Sequence, residues 1–199
     1  MNSTTISRSL FFYLLSAFGI SLTLKASIGV SSFNSFNATL ATLSQLKVGT
    51  ITTAVNLLFL GACRLLDPHP RWKNYLLMAS ALFFFGSTIN LCYYLLLPSL
   101  TITSYAGNIL LFITGTIVAG IGTGKVLKYQ LLKFPIETFC LFLAQRTKYS
   151  FAFYRQAIDF FCIGLALALS FLAHLPLMVR EGTLISFFLL SRVIARAKE

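Results

Sequence analysis

Apolar residues in this chain fall into long uncharged runs broken by short polar connections, and the run lengths predict its elements. Two runs, Tyr75 to Leu97 and Ser104 to Gly124, carry no charge. About 20 apolar residues at 1.5 Å rise are needed to cross a ~30 Å hydrocarbon layer, so each predicts a membrane-spanning helix. The chain as a whole reads as a long run, a short amphipathic run and two more long runs, and then the same order again. The predicted limits are 9–26, 33–46, 49–66 and 74–97 in the first copy, and 103–125, 135–145, 154–176 and 182–196 in the second.

An offset of 103 residues aligns the first three elements of each copy, matching Gly19 with Gly122, Lys25 with Lys128, Phe36 with Phe139 and Gly61 with Gly164. The expected organisation is one membrane domain, 1–199, holding a first repeat at 8–98 and a second at 103–199. The short elements decide how the repeats are oriented. Phe33, Phe36, Leu40 and Leu43 recur at helical spacing, with Asn34, Asn37 and Gln45 between them. About 14 helical residues reach only about 21 Å, enough for a re-entrant or interfacial helix and too short to cross.

The sixteen Lys and Arg residues test that reading. If the short helices crossed, the cations would divide equally between the two sides. If they return to the side they came from, Arg8, Arg64, Arg71, Lys73, Lys125, Lys128, Lys133, Arg146, Lys148, Arg155, Arg192, Arg196 and Lys198 share one face, and only Lys25, Lys47 and Arg180 lie opposite. Such a bias marks a cytoplasmic face. The predicted fold is therefore all-α and polytopic, with six transmembrane helices and two short re-entrant helices. Three crossings per half make it an inverted repeat of 3+3 spans, with both termini cytoplasmic in a bacterial inner membrane. The last span is the weakest, because Arg192 must snorkel to the surface.

Composition agrees: 57% of residues are hydrophobic and 11% charged, too apolar for a soluble core of this size. A net charge of +11 would suggest nucleic acid in a soluble protein, but here the cations sit in loops, where they set topology, so no nucleic-acid partner is expected. Cys63, Cys92, Cys140 and Cys162 lie in apolar segments at no metal-ligand or disulfide spacing and read as small core residues. Arg8 and the apolar run from Leu10 to Leu24 imitate a secretory signal, but a similar segment recurs in mid-chain, so a span is expected. Gly120 to Lys125 imitates a nucleotide-binding loop without its first glycine or its final Ser or Thr, and reads as close helix packing. His69 and His174 fall at opposite faces, and no Ser or Cys has a base beside it. Neither an enzyme, a metal site nor a cofactor is expected.

Only five residues are acidic, and two of them lie within predicted elements: Glu137 in the first turn of the second short helix and Asp159 in the fifth span. An ionised side chain in hydrocarbon costs on the order of 3 kcal/mol, so such groups usually face a polar cavity. Their repeat partners are Asn34 and Asn56. Arg155 precedes Asp159 by one turn, which allows a purely structural pairing, and Glu137 could serve only to complement the positive end of its own helix. The alternative is a substrate or ion site built from Asn34, Asn56, Glu137, Arg155 and Asp159, with a protonatable carboxylate coupling transport to a proton gradient. Pro135 suits a helix start, and Ser31 and Ser32 are candidate caps at the equivalent place.

The segment Gly19 to Asn34, the Pro135-Ile136-Glu137 step, the stretch from Arg146-Thr147 to Arg155 and Asp159, and Gly182-Thr183-Leu184-Ile185 together resemble the bacterial YczE/YitT-like integral membrane proteins. The resemblance implies a duplicated small membrane protein in which a Pro-x-Asp step opens the short helix of each copy. Here the first copy has Ser32 to Asn34 instead, without proline or acid, and the second has Glu137 for aspartate. Leu132 and Lys133 stand where the family has glycines.

The expected function is that of a small inner-membrane transporter or permease for an unidentified small molecule, with the bilayer and a homo-oligomer as candidate partners. Two alternatives remain. One is a substrate-binding membrane subunit of an energy-coupling transporter, and the other a non-transporting assembly or regulatory protein.

Overall fold

A computed structural model of the chain describes residues 3–129 and 132–199. Eight helices follow in order: α1 (Ser3–Lys25), α2 (Ser32–Ser44), α3 (Val48–Leu66), α4 (Trp72–Leu91, continued by a π-helical turn at Cys92–Leu96), α5 (Tyr105–Tyr129), α6 (Pro135–Arg146), α7 (Phe151–Leu172) and α8 (Glu181–Lys198). No strand occurs among the described residues. Five of the helices, α1, α3, α4, α5 and α7, are long and apolar enough to cross a bilayer, which makes this a helical membrane protein. The sixth expected span, α8, carries Arg192, Arg196 and Lys198 in its second half and is not among the five.

The predicted elements are all present, with shifted limits. Helix α7 begins at Phe151 and not at 154, because Ser150 takes the cap position and its hydroxyl accepts from the Phe153 N–H at 3.3 Å. It ends at Leu172, four residues short of the expected 176. Pro176 disfavours helix just before it, and His174 turns into the left-handed region at φ 50°. Ser31 occupies the cap of α2 but makes no side-chain cap bond, and Ser32 is the first helical residue, so neither serine caps in the expected way. Pro135 opens α6 as expected.

Contacts sort the helix ends into two layers. At one end, the Lys25 ammonium donates to the Pro98 carbonyl at 3.4 Å, Lys47 stands 5.9 Å from the Tyr94 ring centre, and Arg180 donates to the Ser27 carbonyl at 3.0 Å. At the other, Arg146 donates to the Leu66 carbonyl at 2.5 Å, Arg64 lies 4.7 Å from the Trp72 ring centre, and Lys128 donates to the Glu199 backbone carbonyl. Helix α1 ends in the first layer at Lys25, and α2 returns there at Gln45 and Leu46. Helix α5 ends in the second layer, and α6 returns there at Arg146.

Helices α1 and α5 form the central pair, the most extensively packed in the molecule. Their closeness follows from residues without side chains. A Cβ on Gly122 would stand 2.6 Å from the Ser16 nitrogen and 2.7 Å from the Phe12 carbonyl oxygen, and one on Gly19 would meet the backbones of Gly115 and Ala119. These contacts exchange under the offset of 103: residues 12, 16 and 19 correspond to 115, 119 and 122. The short helices exchange too, since α2 packs on α7 and α6 packs on α3. Gly120 and Gly124 lie against Val193 and Ala197 of α8, so the loop-like glycine run is helix packing, as its context indicated.

One exchange fails. Helices α3 and α4 pack through Gly49 and Gly86, where a Cβ on either would strike the other's backbone, whereas α7 and α8 form no packed pair. At the offset of 103, Gly49 corresponds to Ala152, and the only glycine in α8 is Gly182 at its start.

Gly122→Ala therefore forces backbone atoms apart and is expected to lower stability by about 1–3 kcal/mol. At Gly164 nothing lies within 4 Å of the added Cβ, so Gly164→Ala should leave thermal unfolding in detergent unchanged or raise its midpoint.

Candidate functional site

The site begins with two local features. Phe134 stays extended (φ −69°, ψ 132°) and Pro135 supplies a pre-set φ for the first turn of α6, which places Glu137 near the buried, amide-bearing end of that helix. On α7, the cap at Ser150 sets the phase that puts Arg155 and Asp159 one above the other on a single face. Packing of α6 on α7 joins the two.

Arg155 Nη1 lies 2.6 Å from Asp159 Oδ1, and Arg155 Nε lies 3.9 Å from Glu137 Oε1. The first pair is close but not aligned as a hydrogen bond, and Glu137 Oε2 is buried with no partner. Their side chains are 26%, 16% and 17% exposed for Arg155, Asp159 and Glu137, so all three are largely removed from solvent. One guanidinium thus serves two carboxylates, leaving the cluster with a formal charge of −1 and a bare acceptor.

All three groups line a cavity of about 570 Å³ between α7 and α8, whose inner end is formed by Ser31, Ser32 and Ser186 and whose outer end by Phe151, Ala195 and Lys198. Asn34 lines an adjoining void of about 60 Å³ that shares Ser31, Thr123, Ser186 and Leu190 with it. Asn56 lies elsewhere. It is buried in α3 and its amide donates to the Thr52 carbonyl of its own helix at 2.8 Å. Of the sequence candidates, Glu137, Arg155, Asp159 and Ser32 are brought together, Asn34 sits next door, Pro135 positions Glu137, and Asn56 is not part of the group. His69 and His174 occupy separate loops, and no group of three potential metal ligands occurs among the described residues.

A second cavity, of about 490 Å³, lies at the opposite end of the molecule. Gln45, Leu46, Tyr94 and Arg180 surround it, and Val30 and Ala38 reach its inner end. Val30 therefore lines one cavity and Ser31, the next residue, lines the other. The segment dividing them is tied down. The Gly182 N–H donates to the Ile28 carbonyl at 2.8 Å, and the Ser35 hydroxyl lies 3.1 Å and 3.2 Å from the Val30 and Met178 carbonyls. Gly29, at φ 107°, makes the turn there, a conformation that a side chain disfavours.

Asn37 in α2 is fully buried, and neither its amide nitrogen nor its oxygen has a hydrogen-bond partner. Pattern reading assigned it to the polar face of an amphipathic helix. Its burial is visible only once the neighbouring helices are seen packed around α2.

Removing Arg155 alone strands two carboxylates, a change that typically costs about 3–5 kcal/mol at buried sites. Arg155→Gln is expected to lower the unfolding midpoint clearly. The combination Arg155→Gln, Glu137→Gln, Asp159→Asn should recover much of that loss in the same thermal assay.

Neither the curated proteins nor the solved structures contain a match to this chain. A family model described as a family of unknown function, DUF6198, matches residues 4–199. Since that match covers nearly the entire chain, the protein belongs to the DUF6198 family.

Proposed function

We propose that this protein is a small secondary transporter, with six spans and two re-entrant helices arranged as an inverted repeat, that passes a small molecule between cavities on opposite faces of the bilayer. The observation that carries this reading is the pair of cavities opening at opposite ends and divided by the segment that begins α2, with Val30 on one side and Ser31 on the other. An alternating-access protein needs such a thin, movable barrier at the interface of its halves.

The repeat is supported by the exchanged contacts of Gly19 and Gly122, and by the crossed packing of α2 on α7 and α6 on α3. An odd number of crossings in each half turns the second half upside down. The sixth span in this reading is α8, parallel to α5 and lying along it, with Gly182 against Phe112 at one end and Ala197 against Gly124 at the other, and with its basic end at the surface. The layer holding Arg64, Arg146 and Lys128 would face the cytoplasm, together with both termini, in a bacterial inner membrane. The likeness to YczE/YitT-like proteins fits the same architecture.

Glu137 is the natural coupling group. Its bare oxygen accepts from a ligand N–H when ionised and becomes an O–H donor when it takes a proton, and the groups facing it are Arg155 and Asp159 of α7, with Lys133 and Lys198 at the cavity mouths. No covalent chemistry is assigned to the protein.

The reconstituted protein should take up one member of a panel of amino acids, vitamins and small anions without an ATPase partner, and Glu137→Gln should reduce that uptake at least tenfold or abolish its dependence on a proton gradient. Uptake only with a co-purifying ATPase would favour an energy-coupling subunit. Full uptake with unchanged proton dependence in Glu137→Gln would contradict the assigned coupling role.

A further inference from the structure

The gap between α7 and α8 has features that a site for a water-soluble molecule does not need. Helix α7 is the least covered of the five apolar helices, with 17% of its apolar stretch buried against 39–44% for the others. Its outward side chains include Phe160, Phe161 and Phe171, which in a bilayer meet lipid. On the facing helix, Phe187 and Phe188 line the cavity while remaining 38% and 62% exposed, so the apolar wall runs without a break from the cavity to the lipid-facing surface. The equivalent gap in the first half is closed by Gly49 against Gly86.

Charge is ordered along the cavity. Asp159 lies eight residues into α7 from Phe151, roughly 12 Å of helix rise inward. There two carboxylates share one guanidinium, and the bare Glu137 oxygen calls for an N–H donor. Nearer the mouth are Arg192 and Lys198, neither of which forms an ion pair with another described residue. Phe187 and Phe188 follow Ser186 at the inner end of the cavity and border the open gap there, so a matched ligand carries an anion toward the mouth, a primary ammonium at the carboxylates and an apolar chain that leaves sideways past the two phenylalanines. A volume of about 570 Å³ lies within the ~300–1,000 Å³ of small-ligand sites.

Building on the reading of this cavity as the ligand site, we infer that its ligand is a single-chain aminophosphate lipid that enters sideways between α7 and α8. The ammonium meets Glu137 and Asp159, the phosphate meets Arg192 and Lys198, and the chain rests against Phe187 and Phe188. A quaternary ammonium has no N–H for the Glu137 oxygen, and a lipid without an amine leaves both carboxylates unmatched.

The test is saturable binding of radiolabelled lysophosphatidylethanolamine to the full chain in phosphatidylcholine nanodiscs. Competition should follow the order lysophosphatidylethanolamine first, with lysophosphatidylcholine and lysophosphatidic acid each at least tenfold weaker, and free O-phosphoethanolamine at least a hundredfold weaker. Ala195→Trp, which fills the cavity wall, should weaken binding at least tenfold, and the competition series on the unaltered protein decides the case even if that variant misfolds. Equal binding of O-phosphoethanolamine would overturn the sideways, lipid-borne ligand, and equal binding of lysophosphatidic acid would overturn the role given to the carboxylates. A dimer that buries Phe187 and Phe188 and binds none of the lipids would overturn the inference as a whole. Lysophospholipid binding without any flux would leave the inference standing and remove the transport reading. Flux of a soluble substrate unaffected by Ala195→Trp, without lysophospholipid binding, would do the reverse.

Discussion

A helix of 13 residues is about 20 Å long, and the hydrocarbon core it would have to cross is about 30 Å thick. That mismatch governs the architecture. Helices α2 and α6 have buried first turns, and each ends at the same end of the molecule as the long helix before it. Non-helical backbone at membrane depth must be satisfied by protein, since lipid offers no hydrogen bonds. The contacts of Ile28 with Gly182, and of Ser35 with Val30 and Met178, meet part of that demand.

Each short helix is held mainly by the other half. Helix α2 rests on α7 and α6 on α3, while the central α1–α5 contact, made possible by Gly19 and Gly122, sets how closely the halves approach. The same arrangement brings Glu137, carried by α6, against Arg155 and Asp159 of α7, and leaves the partner positions Asn34 and Asn56 neutral. The chemistry is concentrated in one half, and that half is also the one whose outer helices do not close on each other. At the offset of 103, Ala152 corresponds to the packing glycine Gly49, and Ala152, Phe187 and Phe188 all border the opening.

Much of the fold was legible in the chain because a bilayer imposes simple rules. Run length gave the long helices, and the placement of Lys25, Lys47 and Arg180 anticipated the three cations that the structure gathers at one end. Glu137, Arg155 and Asp159 were legible because so few acids occur in such an apolar chain. Asn37 was not, because a polar residue on a short helix looks the same whether water or another helix covers it. Asn56 was over-read, since an offset shows which positions correspond but not whether a side chain is already occupied by its own helix, as this one is with Thr52. The end of α7 was overestimated because hydropathy continues past Leu172 while the backbone turns at His174.

Whether both short helices turn back within the bilayer is decided by side-selective labelling of single introduced cysteines in intact cells. Cysteines at Lys47 and Arg180 should react with a membrane-impermeant reagent from outside, and cysteines at Arg71 and Arg146 only after the membrane is opened. Labelling of the Lys25 and Lys47 positions from opposite sides, or of the Arg71 position from outside, would contradict the returning helices.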